Sequence, residues 1–116
     1  MKVILSGGGT GGHIYPALTI ADQIRALSPE TEILFVGTQK KIEKDIVPRY
    51  GYHIEFIDVA GFKRSLSLDT FKSVFKLCTG CSGAYKLLNK FKPDLVIGTG
   101  GYVCGPIVLL AALQGI

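Results

Sequence analysis

Residues 3–13 read Val3-Ile4-Leu5-Ser6-Gly7-Gly8-Gly9-Thr10-Gly11-Gly12-His13, an apolar run that passes directly into glycines. A helical pattern, Ile14 to Leu27, follows at once, and we expect Leu18, Ile24 and Leu27 on its apolar side. Strand, glycine turn and helix in this order are typical of the start of an open α/β sheet. Because the turn carries few side chains, its backbone N–H groups and the positive end of the helix can face an anion or a sugar.

Strand and helix patterns alternate along the rest of the chain. Strands are predicted at Lys2–Ser6, Glu32–Gly37, His53–Val59 and Asp94–Gly98, and further helices over Lys41–Tyr50 and Leu68–Phe91. This alternation predicts an α/β fold, a doubly wound, Rossmann-like parallel sheet with helices on both faces. The 116 residues suffice for one domain with a core, and 47% apolar against 19% charged residues exclude a disordered chain.

A second glycine-rich turn follows the fourth predicted strand. It reads Gly98-Thr99-Gly100-Gly101-Tyr102-Val103-Cys104-Gly105-Pro106, and we expect Pro106 to be the first residue of the last helix. If the first and fourth strands are neighbours, the two glycine turns flank one crevice at the carboxyl edge of the sheet. Either turn taken alone could also be a simple tight reversal of the chain.

The first turn formally matches G-x-G-x-x-G through Gly7, Gly9 and Gly12, so a dinucleotide site is an alternative. A nicotinamide site also needs an acidic residue at the end of the second strand, where this chain has Gly37-Thr38-Gln39-Lys40-Lys41. The lysines could bind a 2′-phosphate, which leaves an NADP-binding oxidoreductase open. A P-loop is excluded because no Gly-Lys-Ser/Thr follows the glycines.

Positive charge lies in the second half of the chain. Residues 1–62 hold six basic and seven acidic side chains, whereas residues 63–116 hold seven basic and two acidic ones. In the long helix, Lys72, Lys76, Lys86 and Lys90 share one side, opposite an apolar side that includes Cys81, Tyr85 and Leu88. This amphipathic pattern indicates either a core-facing stripe with a solvated lysine face or a membrane-binding surface.

Several features bear on location. The apolar start is broken by glycine too early for a signal peptide, and the longest apolar run, Ile107–Leu113, is too short to span a bilayer. Three cysteines, an odd number, suit a reducing cytoplasm. Because no second pair completes four ligands, we interpret Cys78-Thr79-Gly80-Cys81 as incidental rather than a zinc site.

Four stretches together resemble one enzyme family. They are Gly-Gly-Thr-Gly-Gly-His at residues 8–13, Gly37-Thr38, Glu43 to Pro48, and Gly100 to Pro106. In this order they resemble the N-acetylglucosaminyltransferases of peptidoglycan synthesis, which are GT-B glycosyltransferases. The resemblance implies an inverting, metal-independent transfer of GlcNAc from UDP-GlcNAc to undecaprenyl-linked MurNAc-pentapeptide, lipid I to lipid II, without a cofactor.

The resemblance also implies how the protein is organised. The chain resembles the amino-terminal, acceptor-side half of a GT-B fold, truncated before its last strands, while the carboxyl-terminal donor domain is absent. On its own, residues 1–116 are therefore expected to be inactive. The family works as a peripheral protein on the cytoplasmic face of the bacterial cell membrane. A natural non-catalytic half of a two-chain glycosyltransferase is a further alternative.

Site residues follow from the same resemblance. Thr10, Gly11 and Gly12 are expected to bind the donor, and the acceptor pyrophosphate is expected at Gly9, Gly100, Gly101 and Tyr102. An imidazole can exchange a proton near neutral pH, so His13 is the candidate catalytic base, with substrate positioning as its alternative role. No Asp-x-Asp pair is present to hold a metal.

Partners beyond the two substrates are predicted as well. An anionic membrane surface is expected to contact Lys63, Arg64, Leu68, Phe71, Lys72, Phe75 and Lys76. No nucleic acid is expected. An unpaired edge strand could cause self-association of the truncated chain.

Overall fold

A computed structural model describes residues 1–8, 11–39, 42–57, 81–101 and 103–116. Its elements, in chain order, are β1 (Lys2–Gly7), α1 (Gly11–Leu27), β2 (Glu32–Gly37), α2 (Glu43–Arg49), β3 (His53–Phe56), a helical segment over residues 81–91 (α3), β4 (Leu95–Gly100) and α4 (Cys104–Leu113).

The four strands form one parallel sheet in the order β3-β2-β1-β4. In the centre, Ile4 of β1 is in register with Leu34 of β2 and with Val96 of β4. The predicted α/β, doubly wound architecture is confirmed, and β1 and β4 are neighbours, which is the condition for the two glycine turns to flank one crevice.

Each face of the sheet carries its own core, because successive side chains of a strand point to opposite faces. One face packs β1 and β2 against α1 and α2, through Val3, Leu5, Ile14, Ala17, Leu18, Ala21, Phe35, Val47 and Tyr52. The other face packs the alternate strand residues against α3 and α4, through Ile4, Leu34, Val36, Ile57, Ala84, Leu88, Val103, Ile107 and Ala111. Helices therefore cover both faces, as predicted.

The element boundaries differ from the predictions mainly at the glycine turns. Strand β2 has the predicted bounds, but β1 and β4 extend to Gly7 and Gly100, which pair with each other after a register shift. Helix α1 begins at Gly11 rather than at Ile14. Helix α4 begins at Cys104, so the prediction that Pro106 opens it was wrong by two residues.

Two predicted apolar positions are exposed. Leu27 is 84% exposed, because about 100° of rotation per residue places it opposite Leu18 on α1. Tyr85 is 54% exposed, since the buried side of α3 is formed by Ala84 and Leu88. The rest of the pattern holds within the described segment, where Lys86 and Lys90 are exposed and Leu88 is buried. The remainder of the predicted long helix lies outside the described residues.

In the described parts of the chain, every helix is too short or too polar to cross a membrane.

A polar cluster ties α1 to the start of β3. The Tyr52 ring packs against Phe35 at 5.2 Å between centroids, and its hydroxyl donates to Asp22 Oδ1 at 2.5 Å. The Arg25 guanidinium lies 4.0 Å from the centre of the same ring and donates to the Gly51 carbonyl. Burial in the core and, as the second cause, the hydrogen bond to Asp22 raise the pKa of Tyr52 to about 12.

Replacing Tyr52 with Phe should lower the free energy of unfolding by about 1 kcal/mol at neutral pH, because the hydrogen bond to Asp22 is lost while the ring remains. The folded-state pKa of Tyr52 exceeds the unfolded value of about 10, so its stabilising contribution is complete below that pH. The contribution is then lost as the pH rises toward 12.

Urea unfolding followed by circular dichroism at several alkaline pH values measures both effects. Tyr85→Phe is the matched control, because that ring is exposed. Equal loss of stability in the two variants would contradict the proposed stabilisation.

Candidate functional site

The two glycine turns meet at the carboxyl edge of the sheet. Because all four strands are parallel, β1 and β4 end at the same edge, side by side. The Gly8 N–H donates to the Gly100 carbonyl at 3.3 Å and so joins the two turns directly. The predicted convergence of the turns is confirmed.

Glycine is required at the contact between the turns. Gly100 has a φ of +122°, a conformation that residues with a side chain rarely adopt, and a Cβ at this position would lie 2.3 Å from His13 Nδ1. At Gly101 a Cβ would lie 2.4 Å from the Gly8 carbonyl oxygen. The bare backbone of the second turn is therefore what makes room for the imidazole and for the first turn.

His13 is the third residue of α1 and lies half-buried against the second turn. Its Nδ1 is 3.3 Å from the Thr99 carbonyl oxygen. Since a carbonyl oxygen can only accept, Nδ1 carries the proton of this hydrogen bond, and in the neutral ring Nε2 then holds the free lone pair. That tautomer can accept a proton at Nε2.

Thr99 holds His13 at a second point. Its hydroxyl donates to the backbone carbonyl of His13 at 2.6 Å, while its own carbonyl accepts from the ring. Thr99 was not predicted from the sequence as a site residue, because its role depends on contacts with His13, which is 86 positions away in the chain. The available signal was its place within the glycine turn that ends β4.

Helix N-termini also lie at this edge. Gly11 and Gly12 are the first two residues of α1, and the first N–H groups of a helix have no acceptor within the helix. Gly12 is exposed, and α4 begins after Val103 without a side-chain cap. Free N–H groups and the positive ends of two helix dipoles can stabilise negative charge here.

A buried acidic residue, Glu43, lies at the end of β2. The Thr38 backbone N–H and the Thr38 hydroxyl both donate to Glu43 Oε1 at 3.0 Å, and the Glu43 side chain is fully buried. In the sequence, Glu43 was identified only as the first residue of the stretch Glu43 to Pro48, which contributes to the family resemblance. Its position inside the site was not predicted.

The structure brings five of the predicted site residues together, namely Gly11, Gly12, His13, Gly100 and Gly101. Gly9, Thr10 and Tyr102 lie outside the described residues, as does the predicted membrane surface of Lys63, Arg64, Leu68, Phe71, Lys72, Phe75 and Lys76. Within the described ranges, no three His, Cys, Asp or Glu side chains form a group that could hold a metal ion.

Gly100→Ala should displace the His13 ring and destabilise the protein by about 1–3 kcal/mol, because it combines a strained φ with a clash at the imidazole. Urea unfolding measures the stability, and the histidine side-chain signals in an NMR spectrum report the ring. Gly105→Ala is the matched control, since a Cβ there meets no atom within 4 Å. The control should unfold at the same or a higher urea concentration. A Gly100→Ala variant with unchanged stability and unchanged ring signals would contradict the close packing.

The chain can be compared with known proteins. It matches the sequence model of the glycosyltransferase family 28 N-terminal domain over residues 3–116. It is 56% identical over 116 residues to the UDP-N-acetylglucosamine–N-acetylmuramyl-(pentapeptide) pyrophosphoryl-undecaprenol N-acetylglucosamine transferase of Thermoanaerobacter sp. (strain X514), covering 100% of this chain and 32% of the relative. The protein of the same name from Clostridioides difficile (strain 630) is 56% identical over 113 residues, 97% of this chain and 28% of the relative.

A solved structure agrees with these sequence matches. The crystal structure of MurG from Acinetobacter baumannii superposes with a TM-score of 0.83 at 30% identity, over 99% of this chain and 33% of that one. The chain thus spans about a third of the length of these relatives. It belongs to glycosyltransferase family 28, whose N-terminal domain it matches over almost its whole length.

Proposed function

We propose that this chain is the acceptor-side domain of an inverting N-acetylglucosaminyltransferase that transfers GlcNAc from UDP-GlcNAc to undecaprenyl-linked MurNAc-pentapeptide. The observation that carries the proposal is the hydrogen bond between His13 Nδ1 and the Thr99 carbonyl. It places an imidazole with a free Nε2 beside two bare glycine turns, in a chain whose family transfers sugars.

His13 acts as the general base in this reaction. Its Nε2 takes the proton from the attacking hydroxyl of the MurNAc sugar, whose oxygen forms the new bond to the anomeric carbon of GlcNAc. The bond from that carbon to the diphosphate breaks, and UDP leaves with the electron pair. A single displacement of this kind inverts the configuration at the anomeric carbon.

Backbone groups stabilise the charge that develops on the leaving diphosphate. Gly11 and Gly12 present the N-terminal N–H groups of α1 to the donor, and Gly100 and Gly101 line the acceptor pyrophosphate. Thr10, Gly9 and Tyr102 complete these two sets by the resemblance. No metal takes part in the proposed reaction, so transfer should proceed in the presence of EDTA.

The end of β2 argues against an NAD site, whereas Lys40 and Lys41, on which an NADP site would depend, lie outside the described residues. A dinucleotide site uses an acidic side chain at this point to bind the ribose hydroxyls. Here the nearby acidic residue, Glu43, is fully buried and accepts two hydrogen bonds from Thr38. Its carboxylate does not face a ribose.

The remaining two-thirds of the relatives' length would supply the rest of the active site. We infer that residues 1–116 alone do not transfer the sugar, and the experiments below use the full-length gene product. A reading frame that stops after Ile116 would instead favour a natural half of a two-chain transferase.

His13→Ala in the full-length gene product should lower kcat by about 10²- to 10⁴-fold, because the general base is lost, while UDP-GlcNAc still binds. Transfer is measured with radiolabelled UDP-GlcNAc and a lipid-linked muramyl-pentapeptide acceptor in EDTA, and binding by calorimetry. His53→Ala is the matched control, since His53 is exposed at the start of β3 and far along the chain from the turns.

Unchanged kcat in His13→Ala would mean that His13 has only a structural role, while the proposed transfer reaction would still stand. Absence of transfer by the wild-type protein would overturn the proposed function. If that inactive wild-type protein bound NADP measurably, the result would favour the alternative of an NADP-binding oxidoreductase.

We further infer that the protein is peripheral on the cytoplasmic face of the cell membrane, where a lipid-linked acceptor is presented. The sequence that supports this mixes basic and apolar side chains, Lys63, Arg64, Leu68, Phe71, Lys72, Phe75 and Lys76. Basic side chains next to an anionic lipid surface contribute about 1 kcal/mol each.

Replacing Lys72 and Lys76 with Gln should weaken binding to phosphatidylglycerol vesicles by about 30-fold, because two such contributions are lost. Vesicle sedimentation of the full-length gene product measures the binding. A Lys44→Gln, Lys92→Gln variant has the same net charge and changes exposed lysines elsewhere. Equal weakening in both variants would mean that only net charge matters and would contradict a localised membrane surface.

A further inference from the structure

Glu43 is the first residue of α2, and its side chain is 0% exposed. A buried carboxylate is costly unless its oxygens are hydrogen-bonded. Both donors of Thr38, the backbone N–H and the hydroxyl, meet Oε1 at 3.0 Å. The carboxylate is therefore hydrogen-bonded to Thr38, the first residue after β2, at the edge of the sheet where the glycine turns meet.

Two glycines at the ends of neighbouring strands, Gly8 just after β1 and Gly37 at the end of β2, make the space for this side chain. A Cβ on Gly8 would lie 2.4 Å from Glu43 Oε1, and a Cβ on Gly37 would lie 2.5 Å from Glu43 Cγ. Any larger residue at either position would overlap the glutamate. The ends of β1 and β2 together thus form a recess that the Glu43 side chain fills.

A short chain of contacts connects this recess to the imidazole. The Glu43 carboxylate packs against Gly8, and the Gly8 N–H donates to the Gly100 carbonyl. Gly100 in turn packs against the ring of His13. A shift of Gly8 therefore changes the support on which the His13 ring rests.

We propose that Glu43 is a positioning residue, whose buried carboxylate holds Gly8 against the second glycine turn and so sets the place of the His13 ring. Its catalytic consequence rests on the proposed function, since His13 is the base in that reaction. The carboxylate touches no substrate in this role. It acts through the backbone of Gly8 and Gly100.

The experiment compares Glu43→Gln and Glu43→Ala in the full-length gene product with Asp45→Asn as the matched control. Gln keeps the size of the side chain and removes its charge, whereas Ala empties the recess. Asp45 is exposed in the same first turn of α2. The measurements are kcat and the KM for UDP-GlcNAc, together with hydrogen exchange of peptides that contain Gly8, Gly100 or the middle of α4.

In Glu43→Ala, which empties the recess, we expect kcat to fall by about 10- to 100-fold, the loss that small misplacement of a catalytic group causes, with KM changed less than threefold. Exchange at Gly8 and Gly100 should become faster while α4 keeps its protection. Glu43→Gln still fills the recess and keeps an oxygen that can accept from Thr38, so it should show the same pattern more weakly, and Asp45→Asn should match the wild type.

Wild-type kcat in Glu43→Ala, or wild-type exchange at Gly8 in that variant, would overturn the proposal. Faster exchange that extends equally to α4 would mean a general loss of stability and would also overturn it. If the wild-type protein transfers no sugar, the proposed function fails, and the exchange at Gly8 and Gly100 still decides whether Glu43 positions the turns.

Discussion

The hydrogen bond from the Gly8 N–H to the Gly100 carbonyl is the interaction on which the site depends, because it joins the ends of β1 and β4. Strand β1 lies between two neighbours in the sheet, and its apolar residues are fully buried, so the position of its carboxyl end is fixed. Docking the second turn on that end creates a surface without side chains. His13 stands beside this surface, held by Thr99 through its ring and its backbone.

The site combines two electrostatic environments at a single edge of the sheet. The N-termini of α1 and α4 supply partial positive charge and N–H groups that have no acceptor within their own helix, which suit a diphosphate. Behind the first turn, the Glu43 carboxylate is buried and bonded to Thr38. The Glu43 carboxylate thus lies on the protein side of the first turn, while the helix N-termini present donors at the edge. Such a division favours anionic ligands without any basic side chain at the turns.

Membership of glycosyltransferase family 28 places this geometry in a chemical context. The relatives are about three times as long as the chain, so the edge described here corresponds to one part of those longer proteins. In the proposed function, this domain supplies the base and bare backbone, and the remaining length of the relatives supplies the rest of the nucleotide-sugar site. The fold accounts for the position of the His13 ring and of the helix N-termini at one edge, and the proposed function assigns proton transfer and charge stabilisation to them.

Much of the fold and half of the site could be predicted because their causes are local. Val3-Ile4-Leu5 before glycines indicates a buried strand, and the alternation of strands and helices indicates a parallel sheet. Once a parallel sheet is inferred, Gly100, Gly101 and His13 are predicted to lie at one edge of it. Helix starts were less predictable, since α1 and α4 begin inside the glycine turns, where backbone contacts compete with helix propensity.

The sequence by itself determined the fold class, the two glycine turns and the candidate base, because strand and turn preferences depend on neighbouring residues. Only the tertiary structure decided that Thr99 orients His13 and that Glu43 fills a recess beneath Gly8. It also decided that Leu27 and Tyr85 are exposed. These features depend on contacts between segments far apart in the chain, and no local pattern encodes the distance between them.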